Sequence, residues 1–168
     1  MPCVVADTSP VFYLAKLGRL VLLRDLYGRV DIPAEVWREV QAGIRAAPET
    51  GTAINAAADN GWLVITEATL HIAALEREDL DPGERSAIAL AQQLGGALLI
   101  IDEKRGRTAA ARFGLTVTGT LGVLIEAKHR GLLAALKPEL LRLRAETGFR
   151  FSADLEQHAL MQAGEANP

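Results

Sequence analysis

The chain has 168 residues, of which 49% are hydrophobic and 23% are charged, a balance typical of one globular domain rather than a disordered or fibrous chain. Its net charge of −3 argues against a protein that coats nucleic acid non-specifically, although an enzyme that grips a few phosphates stays open. No stretch approaches the roughly 20 apolar residues of a membrane span. We expect a cytoplasmic protein, because no signal-peptide pattern follows Met1 and the lone Cys3 cannot form an internal disulfide.

Short apolar runs alternate with helical patterns along the chain, which predicts an α/β fold with a mainly parallel sheet. The predicted strands are residues 3–6, 30–32, 62–65, 97–101 and 115–118. The predicted helices are residues 10–17, 20–26, 33–40 (ended by Gly43), 48–60, 71–77, 82–94, 104–113, 121–130, 138–146 and 152–162. We expect one domain over residues 1–168, with a three-layer α/β/α core at about 3–135 and a C-terminal helical extension at about 136–163.

Two aspartates each follow a predicted strand, Asp7 after the first and Asp102 after the fourth. Ligands of open α/β sheets bind at the carboxyl ends of strands, and neighbouring strand ends lie only about 5 Å apart. Two carboxylates about 4 Å apart repel by roughly 4 kcal/mol at an effective dielectric near 20, and Mg²⁺ or Mn²⁺ would relieve that repulsion. The alternative, in which Asp7 only begins a turn or caps the next helix, stays open.

Glu84 heads the helix with the clearest start signal. Residues 81–84 (DPGE) have the spacing of a capping box, in which Glu84 turns back onto the backbone of Asp81. Glu84 also shares a helical face with three apolar residues, Ala87, Ile88 and Ala91. A glutamate at the head of an apolar stripe points inward, where a carboxylate needs a cation or a partner. We therefore favour a functional role over a purely structural one.

The other charged residues give weaker signals. Glu39 borders the apolar stripe of its predicted helix, and Glu103 is expected to face solvent or to support Asp102. Basic residues after Asp102 either hold phosphates beside the acidic site or form a solvated helix face: Lys104, Arg105, Arg107 and Arg112. The sequence has no zinc-ligand spacing, phosphate-binding glycine loop or serine nucleophile elbow. The acidic residues are therefore the one set of residues whose pattern indicates catalytic chemistry.

These acidic residues and their neighbours resemble the motifs of a PIN domain, in order along the chain. Residues 4–10 (VVADTSP) resemble the opening strand with the first acidic residue. Glu39, followed by Val40 and Gly43, resembles the second acidic position. Residues 82–91 (PGERSAIALA) resemble the third, and residues 98–102 (LLIID) the fourth. Residues 118–122 (TGTLG) resemble the last strand-to-helix turn of a bacterial and archaeal PIN subgroup. The similarity covers about residues 3–135.

The resemblance implies a ribonuclease that uses Mg²⁺ or Mn²⁺. The implied catalytic acids are Asp7, Glu39, Glu84 and Asp102, and the implied metal ligands are Asp7, Glu84 and Asp102. RNA is the expected substrate, contacted by Thr8, Ser9, Lys104, Arg105, Arg107 and Thr120. The resemblance also implies a homodimer and, as for the VapC-type toxins of this family, a cognate antitoxin protein. One departure bears on a second metal ion, since residues 104–106 (KRG) stand where many PIN domains carry a further acidic residue.

Three other interpretations stay open. A PIN module with weak catalysis would act as a nucleic-acid-binding or scaffold protein, and it would bind RNA without Mn²⁺-dependent cleavage. A phosphatase of another α/β family would be favoured by a second aspartate two positions after Asp7, but Ser9 stands there. The apolar region 132–143 is compatible with a helix-mediated interaction protein.

Overall fold

Five parallel strands form one sheet in the order β3-β2-β1-β4-β5. The structure is a computed structural model that describes residues 2–165. The strands are β1 (Val4–Ala6), β2 (Val30–Pro33), β3 (Leu63–Thr66), β4 (Leu98–Ile100) and β5 (Val117–Thr118). Parallel strands need crossover connections, and the helices in those connections cover both faces of the sheet. The predicted three-layer α/β/α fold is confirmed.

The described residues contain nine α-helices and two short 3-10 helices. The α-helices are α1 (Thr8–Lys16), α2 (Val21–Tyr27), α3 (Ala34–Ala46), α4 (Gly51–Asp59), α5 (Pro82–Gln93), α6 (Lys104–Arg112), α7 (Thr120–His129), α8 (Lys137–Thr147) and α9 (Ala153–Gln162). The 3-10 helices are Pro48–Thr50 and Ala73–Arg77. Among the helices of residues 2–165, none combines the length and the apolar character that a bilayer crossing requires.

Three predicted helices were wrong in their bounds or type. Helix α3 does not end at Gly43 but continues to Ala46, and Gly43 instead lets the ring of Phe12 pack directly against the helix backbone. The predicted helix 48–60 is divided into a 3-10 helix and α4. Residues 71–77 contain only a short 3-10 helix, in which Leu75 is the single buried residue. So short a segment with one apolar anchor is marginal as an α-helix.

Side chains of β1 alternate between the two faces of the sheet, as expected for a strand. Val4 and Ala6 belong to a core cluster that includes Val123 of α7. Val5 belongs to a second cluster that includes Ile88 of α5. Helices α7 and α5 therefore cover opposite faces of the central strand.

Candidate active site

Asp7 and Asp102 follow the two central strands, β1 and β4, which are neighbours in the sheet. The register pairs Ala6 with Ile100, so Asp7 stands level with Ile101 and Asp102 lies one residue further along. Both aspartates thus lie just beyond the carboxyl ends of neighbouring strands, and their hydrogen-bond partners differ.

Asp7 is a buried carboxylate that lacks a full set of hydrogen bonds. It occupies the position before α1 but makes no capping hydrogen bond with its side chain. Its residue is only 4% exposed, and within residues 2–165 its Oδ1 atom has no hydrogen-bond partner. Burial raises the pKa of Asp7 to about 7, against the opposing effect of the Thr8 amide, and the charges of Asp81, Glu39 and Glu84 raise it further. Asp7 is therefore not a simple helix cap, because its side chain makes no capping hydrogen bond.

Glu84 is fully buried and uses one of its two carboxylate oxygens as a cap. The Glu84 amide donates to Asp81 Oδ1 at 2.7 Å, and the Asp81 amide donates to Glu84 Oε2 at 2.9 Å, which completes the capping box. The other oxygen, Oε1, has no partner within the described residues. Burial raises the pKa of Glu84. The structural role therefore occupies Oε2 and leaves Oε1 free for a ligand.

Glu39 reaches the same region from α3. The Thr8 hydroxyl, at the start of α1, donates to Glu39 Oε2 at 2.5 Å. This hydrogen bond holds the partly buried Glu39 carboxylate beside the end of β1. Thr8 thus positions an acidic residue, rather than capping its own helix.

Asp102 is bonded to the start of α7 through both carboxylate oxygens. Its Oδ1 accepts from the Thr120 amide and its Oδ2 from the Thr120 hydroxyl, each at 2.7 Å. Burial raises the pKa of Asp102, while the two Thr120 hydrogen bonds and the Arg107 charge oppose the rise. Asp102, which follows β4, therefore bonds to the start of α7, the helix that follows β5. These bonds also place Thr120 in contact with an acidic residue of the site.

Three glycines that the sequence did not single out lie against these carboxylates. A Cβ built on any of them would lie only 2.6 to 3.1 Å from a carboxylate oxygen. The backbone can come this close because glycine lacks a side chain. Nothing in a single sequence marks these glycines beyond their place beside the acidic motifs. The pairs are Gly83 with Glu39, Gly106 with Glu84 and Gly119 with Asp102.

The donor set suits a divalent cation, although it does not form a complete ligand cluster. No three Asp, Glu, His or Cys side chains within residues 2–165 are grouped so that they could hold a metal ion. However, Asp7 Oδ1 and Glu84 Oε1 are both buried carboxylate oxygens without donors, and Glu39 and Glu84 raise the pKa of Asp7. Hard oxygen ligands of this kind fit Mg²⁺ or Mn²⁺. The two oxygens without a partner belong to Asp7 and Glu84, whereas both oxygens of Asp102 accept hydrogen bonds from Thr120.

The expected phosphate-binding residues fall into two groups. Lys104 and Arg107 line a cleft of about 970 Å³ together with Asp102. Arg105 instead pairs with the exposed Asp79 at 2.7 Å. Arg112 lines the cleft but pairs with Glu78 at 3.0 Å, and Ser9 is partly buried in the first turn of α1. The structure thus brings Lys104 and Arg107 to Asp102, but it engages Arg105 elsewhere.

Two aromatic residues near Asp102 were missed by the sequence analysis. The rings of Tyr13 and Phe149 meet edge to face, with centroids 4.9 Å apart and planes at 85°. Burial raises the pKa of Tyr13, as do the charges of Asp102 and Glu103, so the Tyr13 side chain lies near the acidic strand end. Phe149 comes from the C-terminal extension, and its distance along the chain gives no sign of this proximity.

The comparisons with known proteins agree with this geometry. The family model DUF3368, described as a PIN domain, matches residues 3–165, a segment that includes α8 and α9. A search of curated proteins finds no matching relative. PIN domains are generally nucleases and typically use divalent metals. Since the match covers nearly the whole chain and the parallel sheet places acidic residues at its carboxyl edge, the chain belongs to the PIN-domain family.

Proposed function

We propose that this protein is a Mg²⁺- or Mn²⁺-dependent ribonuclease that hydrolyses phosphodiester bonds of single-stranded RNA. The observation that carries the proposal is that two buried carboxylate oxygens, Asp7 Oδ1 and Glu84 Oε1, have no hydrogen-bond partner within residues 2–165. An unpaired buried carboxylate oxygen is costly, and a cation would remove the cost. The family membership supports nuclease chemistry in general. Single-stranded RNA is favoured over duplex because its backbone and bases enter a recessed site more easily.

Each acidic residue has a role in the proposed reaction. Asp7 and Glu84 would hold the cation, and Glu39, fixed by Thr8, would add negative charge beside it. The bound ion would supply Lewis-acid activation of water and of a phosphoryl oxygen. Asp102 would act from the neighbouring strand end, held there by Thr120.

The basic residues of the cleft would position the substrate. Lys104 and Arg107 line the same cleft as Asp102 and would bind the phosphates on either side of the scissile bond. Arg107 Nη1 also donates to the Ile101 carbonyl oxygen at 3.3 Å, which ties its guanidinium to the end of β4. The contacts of Lys104 and Arg107 with phosphates would therefore form next to the Asp102 carboxylate.

A cleavage assay tests the proposal. Single-stranded RNA is incubated with Mn²⁺ and the wild type, Asp7→Asn, Asp102→Asn or Asp59→Asn, where Asp59 is an exposed residue at the end of α4. We expect Asp7→Asn and Asp102→Asn to reduce kcat/KM about a hundredfold or more, and Asp59→Asn to leave it unchanged. Mn²⁺ should also raise the melting temperature of the wild type but not of Asp7→Asn. Equal cleavage by all four proteins would refute the proposal.

A second candidate is a PIN module that binds RNA with little or no catalysis. The observation that favours it is the engagement of both Asp102 oxygens by Thr120, which leaves fewer free ligands for a cation. Such a module would retain RNA affinity, yet Mn²⁺ would neither cause cleavage nor change the melting temperature. The same assay, with RNA binding measured alongside, separates the two candidates.

The homodimer and the antitoxin partner stay predictions. Analytical ultracentrifugation of the full chain tests the first. Co-expression with the product of a neighbouring gene tests the second, since an antitoxin should co-purify with this protein and suppress its RNA cleavage.

A further inference from the structure

The cleft beside Asp102 is lined by residues of different chemistry. The Asp102 carboxylate, Lys104 and Arg107 belong to its charged lining. Helix α7 and the C-terminal extension add apolar and aromatic residues, namely Leu121, Ile125, Phe149, Leu155 and Ala159, and α9 also adds the polar His158 and Gln162. The volume of about 970 Å³ is at the upper end of the range for ligand pockets, roughly 300–1,000 Å³. The cleft is therefore large enough for a polymer segment that has both a charged and an apolar part.

Phe149 is held in place before any ligand binds. Gly148 ends α8 with a φ of 72°, a left-handed conformation that suits glycine, and this turn directs the chain back toward α1. The ring of Phe149 then packs edge to face on Tyr13 and lies 5.9 Å from the ring of Phe151. Phe149 itself is only partly buried and lines the cleft. A ring fixed by two aromatic neighbours loses little freedom on binding a ligand.

The cations of the cleft favour an anionic ligand. Lys104 is exposed, and within residues 2–165 it makes no ion pair or side-chain hydrogen bond. Arg107 donates only to a carbonyl oxygen there and has no carboxylate partner in the ion pairs of that region. Lys104 is thus available for a phosphate, and Arg107 keeps guanidinium N–H groups that no acceptor of that region uses. Single-stranded nucleic acid presents phosphates and flat bases together, and proteins bind it with a cationic track and aromatic stacking surfaces.

We propose that Phe149 is a stacking platform for a base of single-stranded RNA whose adjacent phosphates contact Lys104 and Arg107. This subsite rests on the proposed function and deepens it, because it assigns substrate positioning to the C-terminal extension. Tyr13 supports the Phe149 ring from the α1 side and is a positioning residue. The apolar residues of α7 and α9 in the cleft wall shield the stacked base from water.

The test measures binding without cleavage. Full-length protein in EDTA is titrated into a fluorescent single-stranded RNA about ten nucleotides long, and separately into the same strand made abasic at its internal positions. Variants are Phe149→Leu, which removes the ring, Phe149→Trp, which keeps one, and Phe113→Leu, a control at the end of α6 outside the cleft lining. We expect Phe149→Leu to weaken binding of the intact strand about 5- to 20-fold, and the other two variants to bind it as the wild type does.

The abasic strand distinguishes stacking from a general effect of the substitution. If the ring stacks on a base, wild type and Phe149→Leu should bind the abasic strand equally, because the base is already absent. Equal weakening for both strands would overturn the subsite, since the ring would then act through the shape of the protein. Unchanged binding of both strands by Phe149→Leu would also overturn it.

The outcome for the subsite can be separated from the outcome for the proposed function. A wild type that binds and cleaves RNA, with a Phe149→Leu variant that binds equally well, refutes only the subsite. A wild type that neither binds nor cleaves RNA refutes both. Circular dichroism of each variant confirms that the comparison is made between folded proteins.

Discussion

Asp7 shows how a single residue can oppose folding and still serve a function. The fold buries its carboxylate, leaves Oδ1 without a partner and surrounds it with other acidic residues. Such a group is destabilising when charged, and it persists in a protein when another property requires it. Cation binding is the property that its surroundings favour.

The pKa of Asp7 predicts a pH-dependent cost that Asp7→Asn should remove. The folded-state pKa is about 7 and the ordinary value is 3.8, so between these values the folded protein holds a proton that the unfolded chain has released. Stability of the metal-free wild type should therefore fall, relative to Asp7→Asn, as the pH rises through this window. The full difference above pH 7 has an upper bound of roughly 4 kcal/mol.

Urea unfolding in EDTA between about pH 5 and pH 8 measures this difference. The advantage of Asp7→Asn should grow toward the upper end of that range, and Mn²⁺ should stabilise the wild type alone. A difference that does not change with pH would show that Asp7 is ionised at the same pH in both the folded and the unfolded chain.

At the scale of elements, the order and type of the main strands and helices could be predicted from the sequence, but their register could not. The apolar runs that became β1 and β4 and the turn signals around α5 are local patterns, and the structure confirms them. The pairing of Ala6 with Ile100 depends on packing across the sheet, which no local pattern encodes. This register places Asp7 level with Ile101, one residue before Asp102.

The candidate site was predictable to a similar degree. The acidic residues could be identified from their places at strand ends and in the capping box. The bonds of Asp102 with Thr120 and of Glu39 with Thr8 span 18 and 31 residues. Contacts over such separations are set by the tertiary fold, so these partners became visible only in the structure.

The start of helix α7 depends on Asp102, and Thr120→Val tests this dependence. Valine keeps the shape of the buried Thr120 but removes the hydroxyl that donates to Asp102 Oδ2. One partly buried carboxylate oxygen then loses its partner, which should lower the free energy of unfolding by about 1–3 kcal/mol. Chemical denaturation measures the loss. Thr120→Ser keeps the hydroxyl and should recover most of the stability, whereas equal losses for both variants would indicate a packing effect instead.

At the scale of the whole molecule, the C-terminal extension is joined to the core by more than apolar packing. Leu140 and Leu143 of α8 are buried in the cluster that contains Val4 and Ala6. The Glu165 carboxylate accepts from the Lys137 amide at 3.0 Å, which connects the segment after α9 to the start of α8. The extension therefore behaves as part of the fold, as a subsite at Phe149 requires.

The ion pair between Arg19 and Glu139 fixes α8 to the turn between α1 and α2, and its two ends should respond differently to substitution. Arg19 Nη2 lies 2.6 Å from Glu139 Oε1, and the side chains are 39% and 6% exposed, respectively. Arg19→Met leaves the buried Glu139 with only Arg142, whose Nη1 is 3.4 Å from its Oε2. Glu139→Gln leaves an arginine that can still reach water.

We therefore expect Arg19→Met to destabilise the protein by about 1–3 kcal/mol and Glu139→Gln by about 1 kcal/mol or less. The reason for this asymmetry is that the buried Glu139 carboxylate keeps only the longer 3.4 Å contact with Arg142, whereas the partly exposed Arg19 guanidinium can bond to solvent. Urea unfolding of both variants measures the difference, and the double variant Arg19→Met/Glu139→Gln should be more stable than Arg19→Met alone. If the double variant were less stable than Arg19→Met, the Arg19 stem would contribute by packing, and the ion pair would not be what holds α8 in place.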